Sequence, residues 1–130
     1  MSRTKASMPC PCGGVEYAVC CGRYHQQFNV PDAASLMRSR YSAYVLKLEE
    51  YLLATWHSET RPASLDLAAG QSKWLGLEVK NHASESATRA TVEFVARYKI
   101  AGKAHRLHEI SRFIFEGNKW LYVDGKFPNE

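Results

Sequence analysis

All four cysteines of this chain lie in one short stretch, residues 10 to 25. They form two close pairs separated by seven residues: Cys10 and Cys12, then Cys20 and Cys21. Four soft sulfur ligands gathered this closely suit a tetrahedral ion such as zinc. Gly13, Gly14 and Gly22 follow the two pairs, and glycine adopts the positive φ angles that a chain bending around an ion often needs. The stretch therefore predicts a structural metal site.

Other uses of the four thiols are possible. Two disulfides are one alternative, although a Cys20–Cys21 bridge would have a strained vicinal geometry. Redox thiols more typically show a Cys-x-x-Cys spacing beside a βαβ pattern, which is absent here. The sequence shows no signal peptide, so we expect a reducing cytosol, where metal binding is favoured over disulfides. His25 is a substitute ligand or a surface histidine; four thiolates already fill a tetrahedral site, which favours the surface role.

The cysteine stretch resembles a known zinc motif. Cys10-Pro11-Cys12-Gly13 and Cys20-Cys21-Gly22 are similar to the SEC-C motif, first known from the C-terminal tail of the SecA preprotein translocase. The resemblance implies zinc as the cofactor and Cys10, Cys12, Cys20 and Cys21 as its ligands. It also implies a docking function, because the related tail of SecA is implicated in contacts with the chaperone SecB and the ribosome.

Further segments, spread over nearly the whole chain, resemble the YchJ family of bacterial proteins. These segments are 36–44, 55–57, 74–77, 92–98, 109–113 and 120–125. The resemblance implies a cone-like fold of the nuclear-transport-factor-2 type, but no particular activity. It divides the chain into a SEC-C-like motif with a flexible N-terminus, residues 1–28, and a cone-like α+β domain, residues 29–130.

Helical patterns come first along the chain. Pro31 and Asp32 begin the main helical region, with Asp32 as its N-cap. Apolar residues then recur at helical spacing and predict one apolar stripe: Leu36, Met37, Tyr41, Tyr44, Val45 and Leu48. Polar residues lie largely off that stripe: Arg38, Ser39, Ser42 and Lys47. Shorter helices are predicted at about residues 49–56 and 63–69, the latter ending at Gly70.

After Gly70 the period of the pattern changes from helical to alternating. Strands are predicted near residues 74–79, 88–100, 104–115 and 119–123, with turns at 101–102 and 117–118. Helices followed by antiparallel strands indicate an α+β class, with helices packed on a curved antiparallel sheet. We expect five aromatic residues to meet in one core: Tyr41, Tyr44, Trp56, Phe94 and Phe113. A chain of 130 residues builds one such core.

Charge gives a first indication of function. The net charge of +4 and the pI near 8.9 permit an acidic partner without requiring nucleic acid. Basic residues are concentrated in two regions: Arg97, Lys99, Lys103, Arg106 and Arg112 in one, and Arg3, Lys5 and Arg23 near the cysteines. With Tyr17 and Tyr24, they predict docking to an acidic protein or a ribosome-associated macromolecule, or to RNA. The alternative is that charges simply protect an exposed strand edge from pairing.

A pocket in the cone is the competing hypothesis, in which the chain binds a small molecule or is an enzyme. Eight polar residues interrupt apolar segments: Arg38, Arg40, His57, Arg97, His108, Glu109, Arg112 and Asp124. A His–Asp pair, formed by His57 or His108 with Asp124, would permit acid–base chemistry. The alternative is that these residues form solvated faces or one satisfied polar network. No nucleophile elbow, phosphate loop or metalloprotease helix is present in the sequence.

Overall fold

Helices precede a single antiparallel sheet in this computed structural model, which describes residues 9–14, 16–27, 30–65 and 73–128. The helices in these ranges are α1 (Cys21–Gln27), α2 (Ala33–Leu46) and α3 (Glu49–Ala54), and a short 3₁₀ helix spans Tyr17–Val19. The strands are β1 (Lys73–Ser84), β2 (Arg89–Ile100), β3 (Lys103–Glu116) and β4 (Lys119–Lys126). They pair in the order β1-β2-β3-β4. The predicted α+β class is confirmed.

The main helix begins where the sequence predicted. The Asp32 carboxylate accepts a hydrogen bond from the Ser35 backbone N–H at 2.7 Å, which satisfies one of the free donors of the first turn. The helix ends at Lys47, whose φ of 60° is left-handed. Burial is wider than one apolar stripe, because Ser39 and Ser42 are fully buried. The prediction that these two serines lie off the buried face is therefore wrong.

Hydrogen bonds explain why the two serines are tolerated in the interior. The Ser39 hydroxyl donates to the Leu36 carbonyl and meets the Tyr51 hydroxyl at 2.6 Å. The Ser42 hydroxyl lies 3.6 Å from the Cys10 sulfur. A buried hydroxyl with a partner avoids most of its desolvation cost, and its small size lets α2 pack closely on both sides.

The sheet follows the predicted alternation. Its inner face carries Val92 and Phe94 on β2 opposite Ser111 and Glu109 on β3. Register shifts occur twice between β1 and β2 and once between β3 and β4, and such bulges bend a sheet. The two-residue hairpin turns at residues 101–102 and 117–118 use positive φ angles, as such turns require.

The short helices only partly match their predictions. Helix α3 confirms the predicted helix near residues 49–56, whereas α1, directly after the second cysteine pair, was not predicted as a full helix. Residues 63–65 lie in no helix, and the rest of the third predicted helix lies outside the described residues. No helix in the described part of the chain is long and apolar enough to cross a membrane.

The core is divided into two clusters. Tyr41, Phe94 and Phe113 belong to the larger cluster, between α2 and the sheet, whereas Tyr44 packs against a smaller cluster around Tyr51. The ring of Trp56 packs edge-on against Tyr122 at 5.0 Å. The five aromatic residues therefore do not share one cluster, because α2 is buried on more than one side.

We predict that Phe94→Ala lowers the free energy of unfolding by about 3–5 kcal/mol, because the ring is almost fully buried between α2 and the sheet. Urea denaturation followed by circular dichroism measures the change. Phe115→Ala is the control: its ring is exposed and packs only edge-on with Trp120, so its cost should stay below about 1.5 kcal/mol. Equal costs for the two variants would contradict the burial of Phe94 in the core.

Candidate metal centre, cavity and basic patch

The four cysteine sulfurs meet in space. All four Sγ atoms lie within 4.8 Å of one another, and those of Cys12 and Cys20 are 3.6 Å apart. Four sulfurs around zinc at about 2.3 Å are separated by roughly 3.8 Å in a tetrahedron. The thiols are free of disulfides. The donor set and its spacing therefore fit a tetrahedral metal ion, and we call this group the cysteine cluster.

Two glycines allow the chain to close around the cluster. A Cβ atom at Gly14 would lie 2.7 Å from the Cys20 sulfur, and one at Gly22 would lie 2.7 Å from the Tyr17 carbonyl oxygen. Real Cβ atoms do not approach other atoms this closely, so both positions need glycine. The sequence pattern had indicated glycine here for its φ angles, but at these two positions it is needed for space.

The cysteine cluster is packed into the main core. Cys10, Cys12 and Cys21 are buried in the same hydrophobic cluster as Leu36 of α2 and Phe94 of β2. The predicted division between residues 28 and 29 falls on positions outside the described residues and stays a prediction. Because these cysteines share a cluster with Leu36, a change at their sulfurs affects packing against α2.

Proton sharing links the thiols. Hydrogen bonding from the Cys21 thiol lowers the pKa of Cys12 to about 5, and the same contact, together with burial, raises the pKa of Cys21. Burial raises the pKa of Cys20 to about 11. Metal binding to such a group of thiols displaces protons.

His25 is neither a ligand nor a surface residue. Its Nε2 lies 2.8 Å from the Ser39 carbonyl oxygen, so this nitrogen carries the proton and donates it. Its Nδ1 accepts a hydrogen bond from the Tyr17 hydroxyl at 2.6 Å. Burial lowers the pKa of His25. The expectation of a surface histidine is wrong, because the half-buried ring joins the 3₁₀ helix to α2.

A cavity of about 260 Å³ lies between α2 and the inner face of the sheet. Its apolar walls are formed by Met37, Trp74, Phe94, Ala96 and Leu107, and its polar lining by Arg40, Tyr41, Tyr44, Glu109, Ser111 and Tyr122. Arg40 and Glu109 are the two charged members, and both were among the eight polar candidates. The sequence signal for Arg40 is its position at helical spacing among apolar residues.

The other six polar candidates do not meet at this cavity. Arg38 and Arg97 are exposed. The remaining four form ion pairs: His57 with Glu116 at 2.9 Å, His108 with Glu93 at 2.6 Å, and Arg112 with Asp124 at 2.6 Å. No His–Asp pair forms among the described residues, so that hypothesis of an acid–base pair is wrong.

Exposed basic residues cover the outer face of the sheet at one end. Lys73 of β1 faces Lys99 of β2, and Arg97 of β2 faces Arg106 of β3. All four side chains are exposed, and none forms an ion pair with another described residue. Like charges directly opposite one another destabilise a sheet. We call these four residues the basic patch.

Contacts between rings lead from the cysteine cluster toward this end of the sheet. Burial raises the pKa of Tyr41, and Cys12 raises it by a smaller amount. The Tyr41 ring packs edge-on against Trp74 at 5.8 Å. Trp74 contacts Tyr98 at 5.2 Å, and Tyr98 stacks on His105 at 5.2 Å. Since Trp74 follows Lys73 and Tyr98 lies between Arg97 and Lys99, this row of rings supports the basic patch from the inner face.

The residues expected to form a docking surface near the cysteines differ in accessibility. Arg23 is exposed and lies over the Tyr24 ring at 4.7 Å. Tyr17 and Tyr24 are half-buried and pack against the core. Among the described residues of this region, Val19 is an exposed apolar side chain. Arg3 and Lys5 lie outside the described residues.

Comparison with known proteins finds relatives along the whole chain. A family model described as the middle, NTF2-like domain of YchJ matches residues 32–125. A UPF0225 protein of Cupriavidus metallidurans is 56% identical over 90% of this chain and 87% of its own. A UPF0225 protein of Chromobacterium violaceum is 55% identical over 95% of this chain and 96% of its own.

Two solved structures share the fold. The solution structure of a SEC-C motif containing protein from Rhodopseudomonas palustris has a TM-score of 0.81 and 34% identity, covering 92% of this chain and 98% of that one. The crystal structure of a SEC-C motif containing protein from Psychrobacter arcticus has a TM-score of 0.79 and 30% identity, covering 93% and 84%.

We predict that His25 titrates below the ordinary histidine pKa of about 6.5, since burial disfavours its charged form. The unfolded chain then binds a proton more readily than the folded one, so this histidine lowers stability as the pH falls below about 6.5. Titration of the histidine ring protons by NMR in the folded and in the urea-unfolded chain measures the value. A pKa for His25 in the folded chain at or above its value in the unfolded chain would contradict the burial argument.

Proposed function

The chain belongs to the YchJ family, as its sequence resemblance predicted, and on that premise we propose that it is a zinc-binding docking module for an acidic macromolecule. The proposal has two parts, a metal centre that stabilises the fold and a basic surface that binds the partner. The facing pair Arg97 and Arg106 is the observation that carries the second part. An exposed pair of like charges lowers the stability of the sheet. A polyanionic partner would offset this cost by neutralising both charges.

Zinc is the metal that the donor set favours. Four thiolate ligands in a tetrahedral arrangement select zinc over the harder ions that prefer oxygen. A site closed by four protein ligands leaves no position for a substrate, so the role is structural. Free thiols in such a site require a reducing compartment, and we therefore propose that the protein works in the cytosol.

We predict about one zinc per chain, bound through Cys10, Cys12, Cys20 and Cys21, in protein purified without chelators. Elemental analysis measures the metal, and a thiol reagent measures how many thiols remain reactive. Metal-free protein with four readily modified thiols would remove this part of the proposal.

A glycine variant separates the metal site from the rest of the fold. Gly14→Ala places a methyl group against the Cys20 sulfur and should weaken zinc binding at least tenfold, the effect typical of disturbed ligand orientation. Competition with a chromogenic chelator measures the affinity. Gly76→Ala is the matched control, because a Cβ there meets nothing within 4 Å. Equal affinities of the two variants would contradict the assignment of Cys20 as a ligand.

The position of the basic patch argues against simple edge protection. Strand β2 pairs with both β1 and β3 as far as Lys99, so Arg97 and Lys99 do not lie at a free edge. Arg106 differs, since β4 pairs with β3 only from Ile110 onward. Protection of an edge therefore accounts for Arg106 and for Lys73 on the edge strand β1, but not for the two residues on β2.

Among acidic macromolecules, the composition of the patch favours RNA. Lysine is depleted at protein–protein interfaces, whereas lysine and arginine together neutralise phosphates. The patch consists of two lysines and two arginines without an acidic partner among the described residues. An acidic protein surface, on the ribosome or on a chaperone, is the alternative that the experiment distinguishes.

Binding of a fluorescein-labelled single-stranded RNA and of a polyglutamate peptide, measured by anisotropy over a range of salt concentrations, tests the proposal. Arg97→Gln/Lys99→Gln should weaken RNA binding and reduce the slope of log K against log salt by about 1.4, or 0.7 for each lost phosphate contact. Arg89→Gln/Lys119→Gln is the matched control, because it removes two exposed charges at the opposite end of the sheet. Tighter binding of polyglutamate would favour an acidic protein, and equal effects of both variants would contradict a specific patch.

We predict that Arg97→Glu raises the free energy of unfolding by about 0.2–1 kcal/mol, because it replaces a like-charge pair with an opposite-charge pair facing Arg106. The same variant should weaken RNA binding. Thermal denaturation and anisotropy measure the two effects. A variant that loses both stability and binding would indicate that Arg97 has a structural role instead.

A further inference from the structure

The cavity under the sheet contains a buried charge that no carboxylate of the described residues pairs. Arg40 is almost fully buried, and its Nη1 donates to the Leu52 carbonyl at 2.9 Å and to the Thr55 hydroxyl at 2.8 Å. The Tyr44 hydroxyl also lies near the guanidinium. The Nε and Nη2 of Arg40 make no hydrogen bond of good geometry with the described residues.

Aromatic rings hold the guanidinium in place without neutralising it. Its central carbon lies 4.5 Å from the centre of the Tyr122 ring and 4.9 Å from that of Trp56. Burial lowers the pKa of Arg40, yet arginine remains protonated in proteins. A buried, charged fork with free donors is the group that binds a carboxylate most strongly.

The second charged group of the cavity is oriented in a complementary way. One oxygen of Glu109, Oε2, accepts hydrogen bonds from the Ser111 hydroxyl at 2.7 Å and from the Tyr122 hydroxyl at 3.1 Å. A Cβ at Gly125 would overlap this carboxylate, so the absence of a side chain at Gly125 leaves the space that the carboxylate occupies. The other oxygen, Oε1, accepts no hydrogen bond from the described residues and is available to a donor in the cavity.

We infer that the cavity binds a small carboxylic acid with an apolar body and a hydroxyl or amino group. The carboxylate of the ligand pairs with the free nitrogens of Arg40, the donor group binds Glu109, and the apolar body lies between Trp74, Phe94 and Leu107. A volume of about 260 Å³ is slightly below the range of drug-sized sites, so the ligand is small. This inference is independent of the docking function.

Three probes of similar size test the chemistry on the full, zinc-loaded chain. Mandelate carries both groups, phenylacetate lacks the hydroxyl, and mandelamide lacks the charge. The NMR signal of the Trp74 indole reports binding because this ring lines the cavity. We expect mandelate to bind about tenfold more tightly than phenylacetate, the effect of one hydrogen bond to a charged group, and mandelamide to bind more weakly than either acid.

Variants assign the two ends of the ligand. Arg40→Met should abolish the preference for acid over amide, and Gly125→Ala should abolish the preference for mandelate over phenylacetate. Ala96→Leu fills the cavity while Arg40 and Glu109 stay intact, and it should weaken binding of both acids at least tenfold. If Arg40→Met does not fold, the comparison of mandelate with mandelamide and the Ala96→Leu variant still test whether the cavity binds the acid.

Three results would overturn the inference. The first is that no acid shifts the Trp74 signal at millimolar concentration, which would mean that Arg40 and Glu109 form a closed structural network. The second is that mandelamide binds as tightly as mandelate. The third is that Ala96→Leu, with an otherwise unchanged amide spectrum, binds both acids as well as the unmodified chain.

Discussion

Burial of the cysteine sulfurs against α2 is the constraint on which the rest of the structure depends. Cys10, Cys12 and Cys21 occupy positions in the main core that an apolar side chain would otherwise fill. Their sulfurs lie within 4.8 Å of one another, too close for four charged thiolates without a cation. A metal ion bound here would act at the core of the fold, because the Cys10 sulfur contacts α2 at Ser42.

Helix α2 transmits this constraint to the cavity. The helix carries Arg40 into the space under the sheet and Tyr41 toward Trp74. Two charged residues at the cavity explain why the interior does not simply close: apolar packing around Arg40 and Glu109 would desolvate both groups without pairing them. The cavity and the basic patch lie on opposite faces of the same strands, so one scaffold supports two separate surfaces.

Much of the fold could be predicted because its patterns are local. Alternation located β2 and β3, as the register confirms. The spacing of the four cysteines alone predicted that they lie together in the structure. The burial of Ser39 and Ser42 could not be predicted, because it depends on partners distant in sequence, Tyr51 and Cys10. The same holds for His25, which lies far in sequence from Ser39.

The candidate site shows the same contrast. Arg40 and Glu109 were recognisable as polar residues in apolar segments, but six similar residues were equally plausible, and only their positions in the folded structure separate them. The like-charge pairs of the basic patch also depend on register, since Lys73 and Lys99 are far apart along the chain. Gly125 gave no sequence signal, because its requirement arises from the carboxylate packed against it.

The proposed metal centre would organise the fold as far as the basic patch. Amide and indole NMR spectra of zinc-loaded and chelator-treated protein test this role most directly. We expect zinc removal to shift or broaden the Trp74 indole signal and the amide signals of Tyr41 and Tyr98, which follow the ring contacts away from the cluster. Changes confined to residues 9–27, with these three signals unmoved, would contradict it.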